Sequence, residues 1–454
     1  MLNITSAFRD MSLAVAAFTV FAGTASAGAI YQDTFPANAS TALNGTTPAR
    51  HHTGVTWIAI GWKADGSVND TTSLGKAFLP ITPVTGATYA LAARNSIAPP
   101  PMVRGFNSSS LPFKDNMFPY RPGYFRDARG WGANVMRLQL HPVRYAVYRH
   151  EKLWQAWPSF LNLLVAQIQR ARRAGLKVVL DMHGLPFDLP GATTSSARSA
   201  VAGKFRGSAA FWKKPDLARR FCHIWSDIAE KTAPLRSSIY GYDLFNEPRL
   251  DNKPGKASIS PPWRPLAIKI IKAIRKVDKK TWIIYEVAPW DLPRGFVNLS
   301  PLRDPRIIYS VHFYDPQGFT MQGLPKYPEA GSVHYPGLIS PWPNSARQMW
   351  DKQMMLRDLA PVIDFQKKYH VPIYVGEFSV ICWAPQKSAA RWLTDAISIF
   401  ERFHWSWTYH DFGHWHGWDL CYSGQTKSGL PRLARHETVR AKVVRAALAK
   451  NWKH

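Results

Sequence analysis

Acidic residues are scarce in this chain of 454 residues. There are 30 Asp and Glu residues against 57 Lys and Arg residues, which gives a formal net charge of +27 at pH 7. A surface with this charge attracts polyanions. The basic residues are dispersed along helix-like segments, and no nucleic-acid-binding motif accompanies them. Nucleic acid is therefore not an expected partner, whereas an acidic polysaccharide or an anionic cell surface is; general solubility explains the charge equally well.

The chain also lacks a hydrophobic run long enough to span a membrane. Its apolar stretch at residues 11–21 is shorter than the roughly 20 residues that a membrane-spanning helix needs. Arg9 precedes this stretch, and Ala25-Ser26-Ala27 offers a small-residue cleavage site. Residues 1–27 are therefore predicted to be a secretory signal peptide, with an uncleaved anchor as the alternative. This predicts a secreted or periplasmic protein with no stable membrane span after cleavage.

Cysteine is the third scarcity. Only Cys222, Cys382 and Cys421 occur, which is few for an exported chain, and an odd number leaves at least one of them unpaired.

Residues 28–101 are rich in Thr, Ser, Ala, Gly and Asn and end in Pro99-Pro100-Pro101. We interpret them as a small N-terminal extension, either β-rich or loosely packed, and residues 102–454 as the main domain.

Short apolar runs alternate with amphipathic segments throughout the main domain. The runs cover residues 102–106, 133–140, 176–182, 239–245, 282–287, 307–313, 372–376 and 405–409. Near-continuous apolar sequences such as Val178-Val179-Leu180 fit strands buried on both faces. Apolar residues at helical spacing predict helices between the runs, including residues 267–277, 348–369, 389–403 and 437–449. The pattern predicts an α/β protein, a (β/α)8 TIM barrel with a small N-terminal extension.

Two glutamates follow predicted strands, Glu247 after the fourth and Glu377 after the seventh. Active sites of (β/α)8 barrels lie at the carboxyl ends of the strands. Two carboxylates roughly 5 to 5.5 Å apart can cut a glycosidic bond with retention of configuration. Arg137, within the second predicted strand, would keep Glu377 ionised. Repulsion from Glu377 would keep Glu247 protonated until it donates to the leaving oxygen.

The same topology brings two cysteines together. Cys382 follows the seventh predicted strand and Cys421 follows the eighth, so their loops are neighbours on the catalytic face. A disulfide between them is expected in an oxidising compartment. Cys222 lies on the apolar side of a predicted helix and is expected to be a buried, inert thiol.

The strand ends resemble, in order, the motifs of glycoside hydrolase family 5, the cellulase family within the clan A retaining glycosidases. The resemblance covers roughly residues 102–420, at Arg104-Gly105-Phe106-Asn107, Asn134-Val135-Met136-Arg137, Asp181-Met182-His183-Gly184, Asn246-Glu247-Pro248, His312-Phe313-Tyr314 and Gly376-Glu377-Phe378. It implies that Glu247 is the acid/base, Glu377 the nucleophile and Asn246 a ligand of the sugar 2-hydroxyl. It also implies that Arg137 and Tyr314 contact the nucleophile and that His312 lies near the acid/base.

Other residues at the strand ends have two interpretations. Glu286 is either a site residue or a hydrogen-bonded structural acid, and His183 is either a site residue or a core histidine. Many family members end the eighth strand with a tryptophan that stacks under the sugar, whereas this chain has His410 there. Alternation along the strand points His410 to the same side as Ser406 and Thr408. We therefore expect the stacking ring to come from Trp415 or Trp418.

These features predict a secreted retaining β-glycoside hydrolase. The expected activity is that of an endo-β-1,4-glucanase acting on a β-glucan, or on a decorated or acidic exopolysaccharide, by double displacement. A β-mannanase or other β-glycanase is the alternative enzyme. A non-catalytic polysaccharide-binding protein is the alternative of another class, and the presence of both glutamates argues against it. No zinc-site spacing or Gly-rich phosphate loop occurs, so neither a metal nor a cofactor is expected, and the oligomeric state is left open.

Overall fold

The computed structural model describes residues 97–108, 123–185, 187, 208–250, 261–413, 415–425 and 429–452. The residues described from Pro99 onward belong to one compact unit. The signal peptide predicted at residues 1–27 lies outside the described residues, and so does the extension predicted at residues 28–101 apart from residues 97–101. Among the helices that are described, none is both long and apolar enough to cross a membrane.

Eight parallel strands close into a barrel, as the sequence predicted. They are β1 (Arg104–Ser108), β2 (Val135–Gln139), β3 (Lys177–Asp181), β4 (Ile239–Asp243), β5 (Trp282–Glu286), β6 (Ile307–His312), β7 (Ile373–Glu377) and β8 (Ser406–Tyr409). Each strand pairs with the next along the chain, and β8 pairs with β1 to complete the ring. All eight carboxyl ends therefore meet at one face, which we call the catalytic face.

Helices lie between the strands. They are α1 (Tyr124–Gly130), α2 (Pro142–Tyr148), α3 (Leu153–Arg173), α4 (Ala209–Trp212), α5 (Leu217–Thr232), α6 (Trp263–Val277), α7 (Gln317–Thr320), α8 (Lys352–Asp358), α9 (Ala360–Tyr369), α10 (Gln386–Arg402) and α11 (Val439–Leu448). Short 3-10 helices cover Ala233–Ser238, Pro293–Phe296 and Ala449–Trp452. In α3, Phe160, Leu164 and Ile168 are buried, which is the packing that their spacing predicted.

The helix predicted over residues 348–369 is wrong in two places. Gln348–Trp350 forms an antiparallel hairpin with Gly337–Ile339. The helical part is interrupted at Leu359, because Pro361 occupies the first turn of α9, where proline needs no backbone N–H. A second hairpin joins Tyr422–Gln425 to Pro431–Leu433.

The barrel interior changes character along its axis. At the end where the strands begin it is filled by an apolar cluster of Val103, Val135, Val179, Tyr240, Ile284, Ile308 and Tyr374. Towards the carboxyl ends the inward positions become polar, as in β2, where Arg137 follows Val135 by two residues, and in β5, where Glu286 follows Ile284. Arg137 and Glu286 are fully buried. The apolar cluster therefore forms a floor beneath a layer of charged groups that opens to the catalytic face.

Candidate active site

Glu247 and Glu377 meet at the catalytic face. Glu377 is the last residue of β7, and Glu247 lies in the loop that follows β4. One carboxylate oxygen of each and a ring nitrogen of His312 all lie within 4.8 Å of one another. This closeness fits the roughly 5 to 5.5 Å between carboxyl groups of retaining glycosidases better than the roughly 6.5 Å or more that leaves room for a water in inverting ones. The geometry suits direct attack by one carboxylate while the other exchanges a proton.

Arg137 is the centre of the charged layer. Its guanidinium contacts Glu377 at 2.8 Å, Asp243 at 2.9 Å, Glu286 at 2.7 Å, Asp181 at 3.2 Å, Asn246 at 3.0 Å and Asn107 at 2.9 Å. Burial alone would lower the pKa of Arg137, but the four carboxylates hold it well above the usual value. The cation is therefore permanent, and it fixes the positions of residues from several different strands.

Glu377 is held in its ionised form. Arg137 donates to its Oε1 at 2.8 Å and the Tyr314 hydroxyl donates to its Oε2 at 2.9 Å. Burial acts to raise the pKa of Glu377, but His410, His312 and Arg137 outweigh burial and hold it well below the usual value. Tyr314 remains a donor, because burial and the negative charge of Glu377 raise the pKa of its hydroxyl. An ionised carboxylate with fixed donors is the form that a nucleophile needs.

Glu247 has a different environment. Its side chain is 21% exposed, against 7% for Glu377. Its Oε1 lies 3.1 Å from Nδ1 of His312, and its backbone N–H donates to Oε2 of Glu286 at 2.5 Å. Its φ angle is +46°, in the left-handed region that residues other than glycine seldom adopt. The turn therefore aims a partly solvated carboxylate at its buried partner.

His312 is a buried cation between the two glutamates. Burial would lower the pKa of His312, but the neighbouring carboxylates of Glu377, Asp291 and Glu247 raise it to about 9. Its Nε2 lies 3.6 Å from Oε1 of Glu286 and 3.6 Å from Oδ2 of Asp291. Through its Nδ1, 3.1 Å from Oε1 of Glu247, the ring orients the Glu247 carboxyl group.

Two other histidines predicted from the sequence reach this face. Nδ1 of His183 lies 2.8 Å from Oδ2 of Asp181, which orients the ring, and the His183 side chain is 20% exposed. Nδ1 of His410 lies 3.6 Å from Oε2 of Glu377. The direction that alternation predicted for His410 is therefore confirmed, since Ser406 and Thr408 also point into the barrel interior.

The two candidate tryptophans are not equivalent. The ring of Trp418 lies 5.9 Å from that of Tyr314 and 6.4 Å from that of His410, centroid to centroid. Trp415 packs 5.3 Å from Trp418 and 6.2 Å from Trp383. The structure thus places Trp418 beside the residues that contact Glu377, with Trp415 supporting it.

The disulfide predicted between Cys382 and Cys421 is not formed. Cys382 is a buried free thiol, and its Sγ lies 3.6 Å from the carbonyl oxygen of Gly424. The backbone N–H of Gly424 donates to the carbonyl of Cys382 at 2.8 Å, so Gly424 occupies the position beside Cys382 while Cys421 is exposed. Burial raises the pKa of Cys382 to about 11. Cys222 is half-buried, less enclosed than expected.

Sequence reasoning assigned no role to several buried polar residues of the site. Asn107 accepts from Arg137 and donates to the Gly376 carbonyl at 2.8 Å, next to Glu377. The carbonyl of Asp291 accepts from the backbone N–H of His312 at 2.6 Å. Burial raises the pKa values of Asp243 and Asp291 to about 7. A polar residue at an inward position of an otherwise apolar strand is the sequence signal that could have identified such site residues.

Two buried clusters have a spacing that could accommodate a cation. One consists of Glu286, Asp291 and His312, and the other of Asp181, Asp243 and Glu286. Arg137 contacts every member of the second cluster, and His312 is itself the cation of the first. Internal ion pairs therefore account for both clusters.

Comparison with known proteins agrees with this geometry. Curated relatives include Endoglucanase C of Acetivibrio thermocellus, 28% identical over 254 residues that make up 52% of this chain and 68% of that protein. Cellodextrinase A of Ruminococcus flavefaciens is 22% identical over 276 residues, 60% of this chain and 72% of that protein. A solved hyperthermophilic endo-β-1,4-glucanase in complex with substrate superposes with a TM-score of 0.53 at 20% identity, covering 79% of this chain and 99% of that one. A solved glycoside hydrolase superposes with a TM-score of 0.56 at 18% identity, covering 77% and 99%. The family model for cellulase, glycosyl hydrolase family 5, matches residues 103–418, and the chain is therefore a glycoside hydrolase that belongs to this family.

Proposed function

We propose that this protein is an endo-β-1,4-glucanase that works by retaining double displacement, with Glu377 as nucleophile and Glu247 as acid/base. The observation that carries the proposal is the pair itself, because the two carboxylate oxygens lie within 4.8 Å of each other in unlike environments. Arg137 and Tyr314 hold one carboxylate as an anion, whereas the other is partly exposed beside His312. Pairs whose environments differ in this way divide the acid and nucleophile roles.

In the first half-reaction, an oxygen of Glu377 attacks the anomeric carbon while the bond from that carbon to the leaving oxygen breaks. Glu247 gives its proton to the leaving oxygen, and Glu377 becomes an ester of the sugar. In the second half-reaction, Glu247 takes a proton from water and the resulting hydroxide equivalent attacks the anomeric carbon. The ester bond breaks, and Arg137 and Tyr314 stabilise the carboxylate that Glu377 regains.

Asn246 supports this chemistry through the orientation of its amide. Its Oδ1 accepts from Arg137 at 3.0 Å, which leaves the Nδ2 amino group as the atom that can donate to a sugar hydroxyl. The family resemblance implies that this hydroxyl is the one at C2, and hydrogen bonds there strengthen in the transition state. We assign His183 and His410 to contacts with the sugar ring on either side of Glu377, and Trp418 to stacking beneath it.

The charge of the cleft favours a neutral sugar at the point of cleavage. Glu247 and Glu377 line the point of cleavage and are 21% and 7% exposed, so an anionic ring bound there would face two carboxyl groups. A neutral β-glucan is therefore the preferred substrate, and acidic groups on a decorated exopolysaccharide would have to lie away from this position. A β-mannan is the second candidate, because Thermotoga maritima Cel5A, with a TM-score of 0.54 at 20% identity, was solved with mannotriose. Secretion follows the signal peptide predicted at residues 1–27.

A panel of soluble polymers tests the proposal. Purified protein is incubated with a β-1,4-glucan, a β-mannan and an acidic exopolysaccharide. Viscosity should fall faster than reducing ends appear on the glucan, and proton NMR should show the β-anomer first. Turnover on the glucan should be flat as salt rises past roughly 0.1 M, where the Debye length is about 10 Å, whereas turnover on an acidic polymer should weaken. An α-anomer as first product, or cleavage of mannan alone, would contradict the mechanism or the substrate respectively.

A further inference from the structure

The face opposite the catalytic face is rich in exposed cations. In a (β/α)8 barrel each helix ends in a turn that leads into the amino end of the next strand, and we call the surface formed by these turns the N-terminal face. The last turn of α3 carries three exposed arginines, and the last turn of α6 with the residues just after it carries three exposed lysines, namely Arg170, Arg172, Arg173, Lys276, Lys279 and Lys280. Exposed Lys367, Lys368 and Arg402 continue the pattern at the ends of α9 and α10.

Neighbouring turns of this face contact one another. Arg104, at the start of β1, donates to Glu401, at the end of α10, at 2.7 Å. Arg236 donates to Asp278 at 2.8 Å and so joins the turn before β4 to the turn before β5. Asp278 is fully buried and the side chain of Glu401 is only 15% exposed. These acids are occupied by internal ion pairs, while the cations point outward.

Helix dipoles favour these cations but explain only part of the charge pattern. Cations in the last turn of a helix stabilise its macrodipole, and the same effect favours acids in the first turn. None of the long helices α3, α5, α6, α9, α10 and α11 has an acidic residue in its first turn. Asp216, at the N-cap of α5, is the one acid at the N-cap positions of these six helices. The cations at the helix ends are therefore not matched by acids at the helix starts.

We propose that the N-terminal face docks the enzyme on the surface of an anionic lipid bilayer. The cations are spread over turns around the barrel rather than along a groove, which matches a broad charged surface better than a single glycan strand. Trp452, 45% exposed, lies on the same face, where its indole donates to the Gly132 carbonyl and Arg129 stacks 3.1 Å from its ring. Aromatic and basic residues together are typical of membrane interfaces. Docking in this way leaves Glu247 and Glu377 facing away from the bilayer, accessible to polysaccharide.

Sedimentation of the full chain with vesicles tests this inference independently of the glycosidase activity. One set of vesicles is phosphatidylcholine alone, and the other also contains phosphatidylglycerol. The face variant combines Lys276→Gln, Lys279→Gln and Lys280→Gln. The matched control combines Lys213→Gln, Lys352→Gln and Lys387→Gln, which removes three exposed cations near helix starts on the catalytic side. Hydrolysis of a soluble oligosaccharide should be the same for all three proteins.

The unmodified protein should bind the anionic vesicles, with binding that falls as salt rises past about 0.1 M. Each basic residue near an anionic surface contributes about fivefold in partitioning, so the face variant should lose roughly 100-fold and the control much less. Equal losses for both variants would reduce the effect to net charge and overturn the inference. If the unmodified protein binds phosphatidylcholine vesicles as tightly as vesicles that contain phosphatidylglycerol, the inference is also overturned. If soluble alginate binds this face more tightly than the vesicles, the partner is an acidic polysaccharide and the bilayer assignment is wrong.

Discussion

The carboxylate of Glu286 lies 2.5 Å from the backbone nitrogen of Glu247. Glu247 has a φ angle of +46°, and a residue other than glycine in this region costs on the order of 1–3 kcal/mol unless its surroundings fix it. The other oxygen of Glu286 accepts from Arg137 at 2.7 Å, and Arg137 in turn donates to Glu377 at 2.8 Å. One buried acid therefore links the backbone of the proposed acid/base to the proposed nucleophile.

This link predicts that Glu286→Gln lowers kcat more than it lowers stability. An amide nitrogen cannot accept, so either the Glu247 N–H or Arg137 loses its partner and the two carboxylates move relative to each other. A displacement of about 1 Å costs up to roughly 100-fold in rate. Steady-state kinetics together with thermal unfolding measure both effects. Glu329→Gln, which removes an exposed ion pair with Arg347, is the control. A lower melting temperature with unchanged kcat would make Glu286 purely structural.

Glu377→Ala should abolish turnover of every glycoside, because no carboxylate remains to form the ester. Added azide should restore cleavage by entering the vacated space, and the glycosyl azide should have the inverted α configuration. Product analysis by proton NMR checks both points. Glu230→Ala, an exposed site on α5, should leave activity unchanged. Residual activity without azide, or a β-configured azide product, would remove Glu377 from the nucleophile role.

Glu247→Ala should discriminate between leaving groups. General acid catalysis contributes roughly 10²–10⁴-fold, and a poor leaving group such as a sugar hydroxyl needs all of it. A dinitrophenyl glycoside needs little protonation, so its first half-reaction should survive in the variant and the glycosyl-enzyme should accumulate. Burst kinetics on the aryl glycoside, compared with steady-state rates on the glucan, measure the difference. Equal losses on both substrates would contradict the acid/base assignment.

His312 should make folding stability depend on pH in the alkaline range. Its folded pKa is raised to about 9 from an unfolded value of about 6.5. The stabilising contribution is therefore complete below about pH 6.5 and is lost as pH rises through about 9. Asp243 and Asp291 have pKa values near 7, so their titration is largely over above pH 8. Burial also raises the pKa of Glu286, 3.6 Å from His312, well above its usual value, so the histidine is identified by comparing two proteins. Urea unfolding between about pH 8 and 9.5 should show a flatter slope for His312→Asn than for the unmodified protein; equal slopes would exclude His312 as the source.

Residue patterns were sufficient to predict the barrel and its glutamate pair. Apolar runs of strand length repeat eight times, and a closed parallel sheet brings their carboxyl ends together, so Glu247 and Glu377 had to converge. Contacts that depend on side-chain packing were not predictable in the same way. The role of Asn107 depends on the position that Arg137 adopts, and the position of Cys382 depends on how the loop containing Gly424 folds over it. The prediction of one helix over residues 348–369 was partly wrong, because apolar residues at helical spacing do not reveal a short hairpin.

Trp418 and Trp415 offer a matched pair for locating the stacking surface. Trp418 lies 5.9 Å from Tyr314 and 6.4 Å from His410, whereas Trp415 packs between Trp418 and Trp383. Removing a ring that contacts the sugar costs about 1 kcal/mol or more, so Trp418→Ala should raise KM for the glucan by about tenfold. Trp415→Ala removes a ring of the same size without that contact and should lower the melting temperature with a smaller change in KM. Product-inhibition constants for cellobiose, measured alongside KM, check whether the loss is in binding. If the two variants have the same KM, Trp418 is not the stacking residue.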